Sequence, residues 1–178
     1  MRDSPLEVSF RRPEPSDLPA LYDQKNDAEV KRMLGGFSHG FSRKDLEDWL
    51  ESHRTRKDEV LWTIVATANG RCLGHVGLYR FDPIVRSAEF GIMIGAKDAW
   101  GKGIGRAATS YAVKYGFQRM NLNRISLTVL ADNERAIQLY LKIGFVHEGV
   151  LRQAQFRDGV YVDLIAMSML RGEFTNEA

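Results

Sequence analysis

Hydrophobic and polar residues change their spacing several times along the chain, and each change predicts a new element. Their alternation from Glu7 to Arg12 indicates a first strand, which Pro13 and Pro15 end. Ser16-Asp17 then offers polar side chains that cap a helix from Leu18 to Gln24. The chain is therefore predicted to open with a short strand and a helix.

Two further helical segments are predicted before the next strand. The first is a short piece from Ala28 to Leu34, which Gly35-Gly36 ends. The second begins at a capping box formed by Ser42 and Asp45, with Asp in the place of the usual Glu. Behind that box, four residues share one helical face: Leu46, Trp49, Leu50 and His53. This amphipathic pattern indicates a helix with one buried side.

In the middle of the chain the hydrophobic period falls to two, which is typical of strands. Three strands are predicted, over Val60–Ala68, Arg71–Phe81 and Ser87–Ile94. The Asn69-Gly70 pair is a strong hairpin-turn signal, and Asp82-Pro83 opens the second connection. These three strands are therefore expected to form an antiparallel meander.

The last part of the chain alternates helices with strands. It contains a helix over residues 104–120, a strand over 124–130, a helix from Asn133 to Ile143 that Gly144 ends, and strands over 145–156 and 160–169 joined by Asp158-Gly159. The predicted order is βααβββαβαββ. This order describes an α/β (α+β) fold, with a single mixed, mostly antiparallel, twisted sheet of about seven strands flanked by helices.

Length and composition limit the classes of protein that fit. The chain has 178 residues, 44% hydrophobic and 27% charged, which suits one domain over residues 1–178. No apolar run is long enough for a membrane span, and the N-terminus lacks the apolar region of a signal peptide. The single cysteine, Cys72, and a net charge of +2 favour a cytoplasmic protein that binds no nucleic acid.

The stretch DAWGKGIGRAA, residues 98–108, carries the most specific chemistry. Its spacing excludes a P-loop, because Gly95 and Gly101 are one residue too far apart and no Ser or Thr follows Lys102. Residues 103–108 match a dinucleotide fingerprint as a string, but the preceding strands form a meander and not a parallel unit. Two interpretations remain: a pyrophosphate cradle at a helix N-terminus, supported by Lys102 and Arg106, or a plain turn.

Two motifs resemble those of the GNAT N-acetyltransferase superfamily. WGKGIG, residues 100–105, resembles the loop that holds the pyrophosphate of acetyl-CoA, although Trp100 stands where many members carry Arg or Gln. Residues 132–145, DNERAIQLYLKIGF, resemble the family's N-x-x-A-x-x-x-Y-x-K-x-G-F element. The resemblance extends from Val8 to Leu170, and its closing part is similar to ribosomal-protein-alanine and spermidine N-acetyltransferases. It implies a GNAT-like sheet with a splayed central strand pair.

The resemblance implies acetyl-CoA as the co-substrate and no metal. The end of strand 87–94 is expected to splay from strand 124–130 and to offer its backbone to the pantetheine arm, with a backbone N–H group near Met93 as the oxyanion donor. Asn133 is expected to cap its helix and to touch the cofactor. The cofactor-binding residues implied are Met93, Ile94, Gly95, Trp100, Gly101, Lys102, Gly103, Ile104, Gly105, Arg106, Asn133 and Lys142.

Acetyl transfer needs an acid for the departing thiolate and a base for the amine. Tyr140 is the expected acid, since a tyrosine with a pKa of about 10 is protonated at neutral pH. Glu89 is the first candidate base, and His75 or a chain of waters is the alternative. No motif places a base beside Cys72, so the sequence does not support a covalent acyl-enzyme at this residue. Cys72 is expected to be a small buried core residue.

The sequence leaves the acceptor open among a polyamine, an amino sugar, an antibiotic amine and a protein N-terminus. Selectivity is expected in residues 25–58, 82–86 and 152–159. The partners expected are a small-molecule or peptide amine, with no nucleic acid and no membrane, and a homodimer stays open. A non-catalytic acyl-CoA-binding sensor and an NAD-dependent oxidoreductase are the alternative functions.

Overall fold

A computed structural model describes residues 6–34 and 39–175 and shows a seven-stranded sheet in the order β1-β2-β3-β4-β5-β7-β6. The strands are β1 (Val8–Arg11), β2 (Val60–Ala66), β3 (Cys72–Asp82), β4 (Ser87–Ile94), β5 (Arg124–Leu130), β6 (Val146–Arg157) and β7 (Val160–Leu170). The helices are α1 (Leu18–Asn26), α2 (Ala28–Leu34), α3 (Arg43–Thr55), α4 (Ile104–Gln118) and α5 (Glu134–Ile143). Neighbouring strands are antiparallel except β4 and β5, which confirms the predicted mixed sheet.

Most predicted bounds agree with the structure within two residues. The capping box is confirmed, because Asp45 N–H donates to Ser42 Oγ at 3.1 Å and Ser42 N–H donates to Asp45 Oδ2 at 2.7 Å. Asn133 Oδ1 accepts from Ala136 N–H at 3.2 Å, which confirms the N-cap of α5. The predicted stop of α2 at Gly35-Gly36 lies outside the described residues.

Three helices separate β1 from β2, in agreement with the three helical segments predicted there, although the predicted order counts only two of them. Asp27 has an extended backbone and its carboxylate accepts from Glu29 N–H and Val30 N–H, at 2.9 and 3.1 Å. An aspartate in this position ends one helix and caps the next, so α1 and α2 are separate. The observed order is βαααβββαβαββ.

The predicted capping of α1 by Asp17 is wrong. The carboxylate of Asp17 makes no capping bond to α1 and instead accepts from Arg11, from Glu14 N–H and from Thr63 Oγ1. Residues 15–17 form a 3-10 turn that carries Asp17 back over the sheet. The residue therefore joins β1, this turn and β2.

Helices cover both faces of the sheet. On one face α4 and α5 pack over a large core that includes Leu78, Phe90, Ile125 and Phe145. On the other face α1, α2 and α3 pack over a smaller cluster formed by Leu21, Val30, Leu46, Cys72 and Met93. Successive β4 residues therefore point to opposite layers, Phe90 toward α4 and α5 and Met93 toward α1 and α2.

The only parallel neighbours among the described strands, β4 and β5, separate part of the way along. They pair from Ser87–Glu89 to Arg124–Ser126, and no pair joins them beyond Glu89. The two strands splay from Phe90 onward, as expected. A parallel pair that opens in this way leaves backbone groups on both strands free for a ligand.

Candidate functional site

A cavity of about 700 Å³ fills the gap between β4 and β5. Its walls come from β4, β5, the glycine loop, the start of α4, α5, α2 and the β6–β7 hairpin. The predicted site residues that line it are Met93, Ile94, Trp100, Gly101, Gly103, Ile104, Gly105, Arg106, Asn133, Tyr140 and Lys142. Three others do not line it: Glu89, Gly95 and Lys102.

The glycine loop adopts a backbone that glycine favours. Gly101 and Gly103 have φ of +85° and +80°, in the left-handed region, and α4 begins directly afterwards at Ile104. The first N–H groups of a helix have no partner within it, and the positive end of the helix dipole lies there. The loop thus has the geometry of an anion site. Lys102 lies aside from the cavity, and its carbonyl accepts from Leu6 N–H at 3.3 Å.

Arg135 is a cation beside this loop that the sequence analysis missed. It is the second residue of α5, and its Nη2 lies 3.6 Å from the position that a Cβ on Gly101 would occupy. With Arg106 and Lys142 it gives the cofactor end of the cavity three positively charged side chains. The sequence held one signal for it, its place two residues after the Asn133 cap.

Trp100 holds the end of β4. Its indole Nε1 donates to the carbonyl oxygen of Ile94 at 2.8 Å. The indole therefore makes a structural contact at the position where the family resemblance leads one to expect Arg or Gln. That contact fixes where β4 ends relative to the glycine loop.

The backbone of β4 directs alternate N–H groups toward β3 and toward the gap. Gly95 N–H donates to the carbonyl of Leu73 on the β3 side at 2.9 Å. Met93 is two residues earlier, so its N–H group also points toward β3. The N–H groups of Ile92 and Ile94, which alternate with it, therefore point into the gap. Of the backbone N–H groups near Met93, the geometry therefore favours those of Ile92 and Ile94 as the candidate oxyanion donor.

Tyr140 lies in the wall of the cavity with its ring fixed on two sides. Its centroid is 5.9 Å from that of Phe90 and 5.8 Å from that of Phe145, with steep interplanar angles. Only 7% of the residue is exposed, and this burial raises the pKa of its hydroxyl to about 12. Tyr140 is therefore protonated at neutral pH, as an acid must be.

The two candidate bases lie apart from the cavity. Glu89 is the last residue of β4 that pairs with β5; its side chain is half-exposed and accepts from Arg80 at 2.9 Å. His75 lies opposite Met93 in the β3–β4 ladder, and neither of its ring nitrogens has a partner. Burial, with the nearby charges of Lys25 and His53, holds its pKa well below the usual 6.5. Its imidazole is therefore neutral.

Cys72 is a core residue, as expected. Its side chain packs in the cluster beneath α1 and α3, and burial raises the pKa of the thiol to about 11. A thiol in this state is a poor nucleophile at neutral pH.

No group of three or more His, Cys, Asp or Glu residues that could hold a metal ion occurs in the described part of the chain.

The sequence predicted the segments that set acceptor selectivity only as broad ranges, and two of these ranges contribute to the wall formed by α2 and the β6–β7 hairpin. Residues 25–58 contribute Val30, Met33 and Leu34, and residues 152–159 contribute Gln155. The third segment expected to set selectivity, residues 82–86, contributes none of the lining residues that the structure describes.

No helix within residues 6–34 and 39–175 is long and apolar enough to cross a membrane.

A second cavity, of about 880 Å³, lies between α3, β2 and the segment after β1. Its rim mixes opposite charges, since Arg54 pairs with Glu51 and Arg56 pairs with Glu59. It shares no lining residue with the cavity between β4 and β5. The glycine loop and Tyr140 therefore mark the smaller cavity as the candidate site.

Known proteins are similar to this chain in fold and in sequence. A solved structure of spermidine N-acetyltransferase from Vibrio cholerae in complex with CoA and spermine has a TM-score of 0.87 and 30% identity, covering 93% of this chain and 96% of that one. A Vibrio cholerae spermidine N(1)-acetyltransferase sequence is 32% identical over 173 residues, 97% of this chain and 98% of the relative. A putative ribosomal N-acetyltransferase, YdaF of Bacillus subtilis, is 34% identical over 109 residues, 61% of this chain and 59% of the relative.

The family match covers most of the chain. Residues 7–146 match the family model described as the acetyltransferase (GNAT) domain. The matched segment contains the glycine loop, the β4–β5 gap and Tyr140. The chain therefore belongs to the GNAT acetyltransferase family.

Proposed function

We propose that this enzyme moves an acetyl group from acetyl-CoA to a primary amine by direct attack in a ternary complex. The observation that carries the proposal is the cavity between β4 and β5, which joins the glycine loop at α4 to the protonated Tyr140. A cradle for phosphates and an acid for a thiolate are the two groups that acetyl transfer from a CoA thioester requires.

The residues present fit CoA. Backbone N–H groups at Gly103 to Arg106 receive the pyrophosphate, and Arg135 and Lys142 add charge beside it. An ideal Cβ at Gly101 would meet nothing closer than Arg135, so there is room for a ligand against the loop. The pantetheine arm then extends along β4 toward the apex of the gap.

Each reacting atom has a candidate partner in the cavity. The N–H group of Ile94 or Ile92 stabilises the charge that develops on the thioester oxygen. The amine nitrogen bonds to the carbonyl carbon and the carbon–sulfur bond breaks. Tyr140 gives its hydroxyl proton to the departing sulfur, and the proton that the nitrogen loses restores the hydroxyl.

The base stays a prediction. An alkylammonium with a pKa of about 10.4 must lose one proton before it attacks. We keep Glu89 in this role, because it lies where β4 and β5 separate. Its ion pair with Arg80 must open, or a water must join it to the amine, before it can act.

The identity of the acceptor amine is also a proposal, because the names of relatives apply to those proteins and not to this chain. A polyamine is the first candidate to test, since spermidine N-acetyltransferases and a structure with spermine are among the relatives. A protein N-terminus is the second, on the similarity to YdaF. Homodimer formation and a cytoplasmic location stay predictions.

The test is release of free thiol from acetyl-CoA against a panel of amines. Acceptor-dependent release supports the proposal, and its absence despite CoA binding would favour an acyl-CoA-binding sensor. A thermal-shift measurement with CoA and with NAD separates the remaining alternative, an oxidoreductase. Stabilisation by NAD alone would contradict the proposal.

A further inference from the structure

The residues that line the cavity between β4 and β5 come from both faces of the sheet, and each of the two sets is called the mouth on its face. The glycine loop and α5 form the mouth on the α4–α5 face, where the charges of Arg106 and Arg135 lie. On the opposite face, α2 packs across β4 and β5, and the β6–β7 hairpin closes the far side. A CoA molecule held at the glycine loop would occupy the first mouth, which leaves the second for the amine.

The second mouth is lined with apolar carbon. Met33 and Leu34 at the end of α2 line the cavity, yet they are 50% and 47% exposed. Leu164 of β7 lies opposite Leu130 of β5, and both line the cavity. Leu151 of β6 lies opposite Leu164, so its side chain shares that face, and it is 44% exposed. An acceptor seated here covers hydrophobic surface that water now contacts.

Two acidic side chains, one in the hairpin turn and one on α2, are paired with cations. Asp158 in the hairpin turn lies 3.5 Å from Arg32 of α2. Glu29 of α2 pairs with Lys97 at 3.2 Å. The charged side chains that line the cavity itself are the cations of its other mouth, and they repel a cationic ligand.

We propose that the acceptor is a primary monoamine with an apolar body, in place of the polyamine that the relatives make the first candidate. This inference deepens the proposed function and rests on it. The reacting nitrogen enters the gap as the neutral amine, and the apolar body covers Met33, Leu34 and Leu164. A polyamine keeps at least one further ammonium group after its reacting nitrogen is deprotonated. Burying that charge is costly unless a carboxylate faces it, and the walls present apolar carbon there.

The first experiment measures kcat/KM for n-propylamine to n-hexylamine, with phenethylamine and spermidine as comparisons. Each methylene that becomes fully buried is expected to raise kcat/KM by up to about fourfold. Phenethylamine is expected to exceed spermidine by about tenfold or more. A flat alkylamine series, or a preference for spermidine, would overturn the proposal.

The second experiment places a carboxylate at the mouth. Met33→Glu is expected to lower kcat/KM for n-hexylamine about tenfold and to raise it for spermidine. Val160→Glu is the matched control, because Val160 is 57% exposed in the hairpin and does not line the cavity. Equal effects of the two variants on both acceptors would contradict the assignment of this mouth.

The two proposals fail in different ways. Transfer to spermidine with no transfer to apolar monoamines leaves the enzyme an acetyltransferase and removes only this inference. CoA binding with no transfer to any amine in either set removes the proposed function. Thiol release measured with each amine, together with CoA binding measured by thermal shift, separates these outcomes.

Discussion

Tyr140 and Phe90 meet edge to face, with ring centroids 5.9 Å apart, at the point where β4 leaves β5. Phe90 is the first β4 residue beyond the last pair with β5, and it points toward α5. The contact therefore places the candidate acid next to the point where the two strands separate. This contact lets a helix that follows β5 in the chain present a hydroxyl to a cavity opened by β4.

Tyr140→Phe tests the acid. The ring keeps its contacts with Phe90 and Phe145, so the fold and CoA binding are expected to stay unchanged. Loss of the hydroxyl proton is expected to lower kcat about a hundredfold. The wild-type enzyme is expected to show no loss of kcat from Tyr140 ionisation between about pH 7 and about pH 10, because burial raises the pKa of Tyr140 to about 12.

Tyr161→Phe is the control for this change, since Tyr161 is 67% exposed at the hairpin and does not line the cavity. Its kcat is expected to equal that of the wild type. An unchanged kcat in Tyr140→Phe would remove Tyr140 from its proposed role.

Trp100→Phe tests the contact that ends β4. The substitution leaves the carbonyl of Ile94 without its indole donor at 2.8 Å. We expect a loss of about 1 kcal/mol in the free energy of unfolding and a higher KM for acetyl-CoA, because the end of β4 lines the cofactor path. Urea unfolding and initial-rate kinetics measure the two effects. A wild-type KM for acetyl-CoA would show that Trp100 acts on stability alone.

Arg135→Gln tests the cation beside the glycine loop. Its guanidinium lies 3.6 Å from the Cβ position of Gly101, so its removal is expected to weaken CoA binding about three- to tenfold with little change in kcat. Arg119→Gln removes an exposed arginine at the other end of α4 and is the control. Isothermal titration with CoA is the measurement. The same affinity in both variants would place Arg135 outside the CoA site.

The regular elements could be predicted because local chemistry defines them. Ser42 and Asp45 start α3, Asn133 starts α5, and β4 has the bounds that its alternating pattern gives. The three helical segments of the first crossover were predicted near their observed bounds, but the part that Asp27 plays between the first two was not. Asp27 ends one helix and caps the next, and a short polar stretch gives little sign of that double role.

The chemical surroundings of the site could not be predicted to the same degree, because they depend on contacts between distant segments. The ion pair of Glu89 with Arg80 forms across a hairpin whose register shifts after Tyr79. The apolar mouth joins Met33 of α2 to Leu164 of β7, which only the folded sheet brings together. The direction of each β4 N–H group likewise follows from the pairing of the sheet and not from composition.

Glu89→Gln tests the proposed base. The amide cannot accept a proton from the ammonium, so kcat at pH 7 is expected to fall about a hundredfold. A higher pH is expected to recover part of the rate, because more of the free amine is then neutral. Arg80→Gln releases Glu89 from its ion pair and serves as the companion variant, with kcat retained. A wild-type kcat in Glu89→Gln would leave water or His75 as the base.

Asp17→Asn tests the buried carboxylate that joins β1 to β2. Its side chain is 3% exposed and accepts from Arg11 at 2.7 and 2.8 Å, from Glu14 N–H at 2.9 Å and from Thr63 Oγ1 at 2.9 Å. Burial alone would raise its pKa, but these hydrogen bonds outweigh burial and lower the pKa. The variant keeps the shape and loses the charge, so we expect a loss of about 3 kcal/mol in the free energy of unfolding at pH 7.

The sign of the pH dependence follows from the lowered pKa of Asp17. The stability that the carboxylate contributes is fully present above its unfolded pKa of about 3.9, and it is lost as the pH falls through the lower folded value. The difference between wild type and Asp17→Asn is therefore expected to be largest near neutral pH and to shrink below about pH 4. Urea unfolding at a series of pH values measures it, with Asp48→Asn, a change of an exposed side chain, as the control. A difference that stays constant down to the lowest pH would mean that Asp17 stabilises the fold through packing and not through its charge.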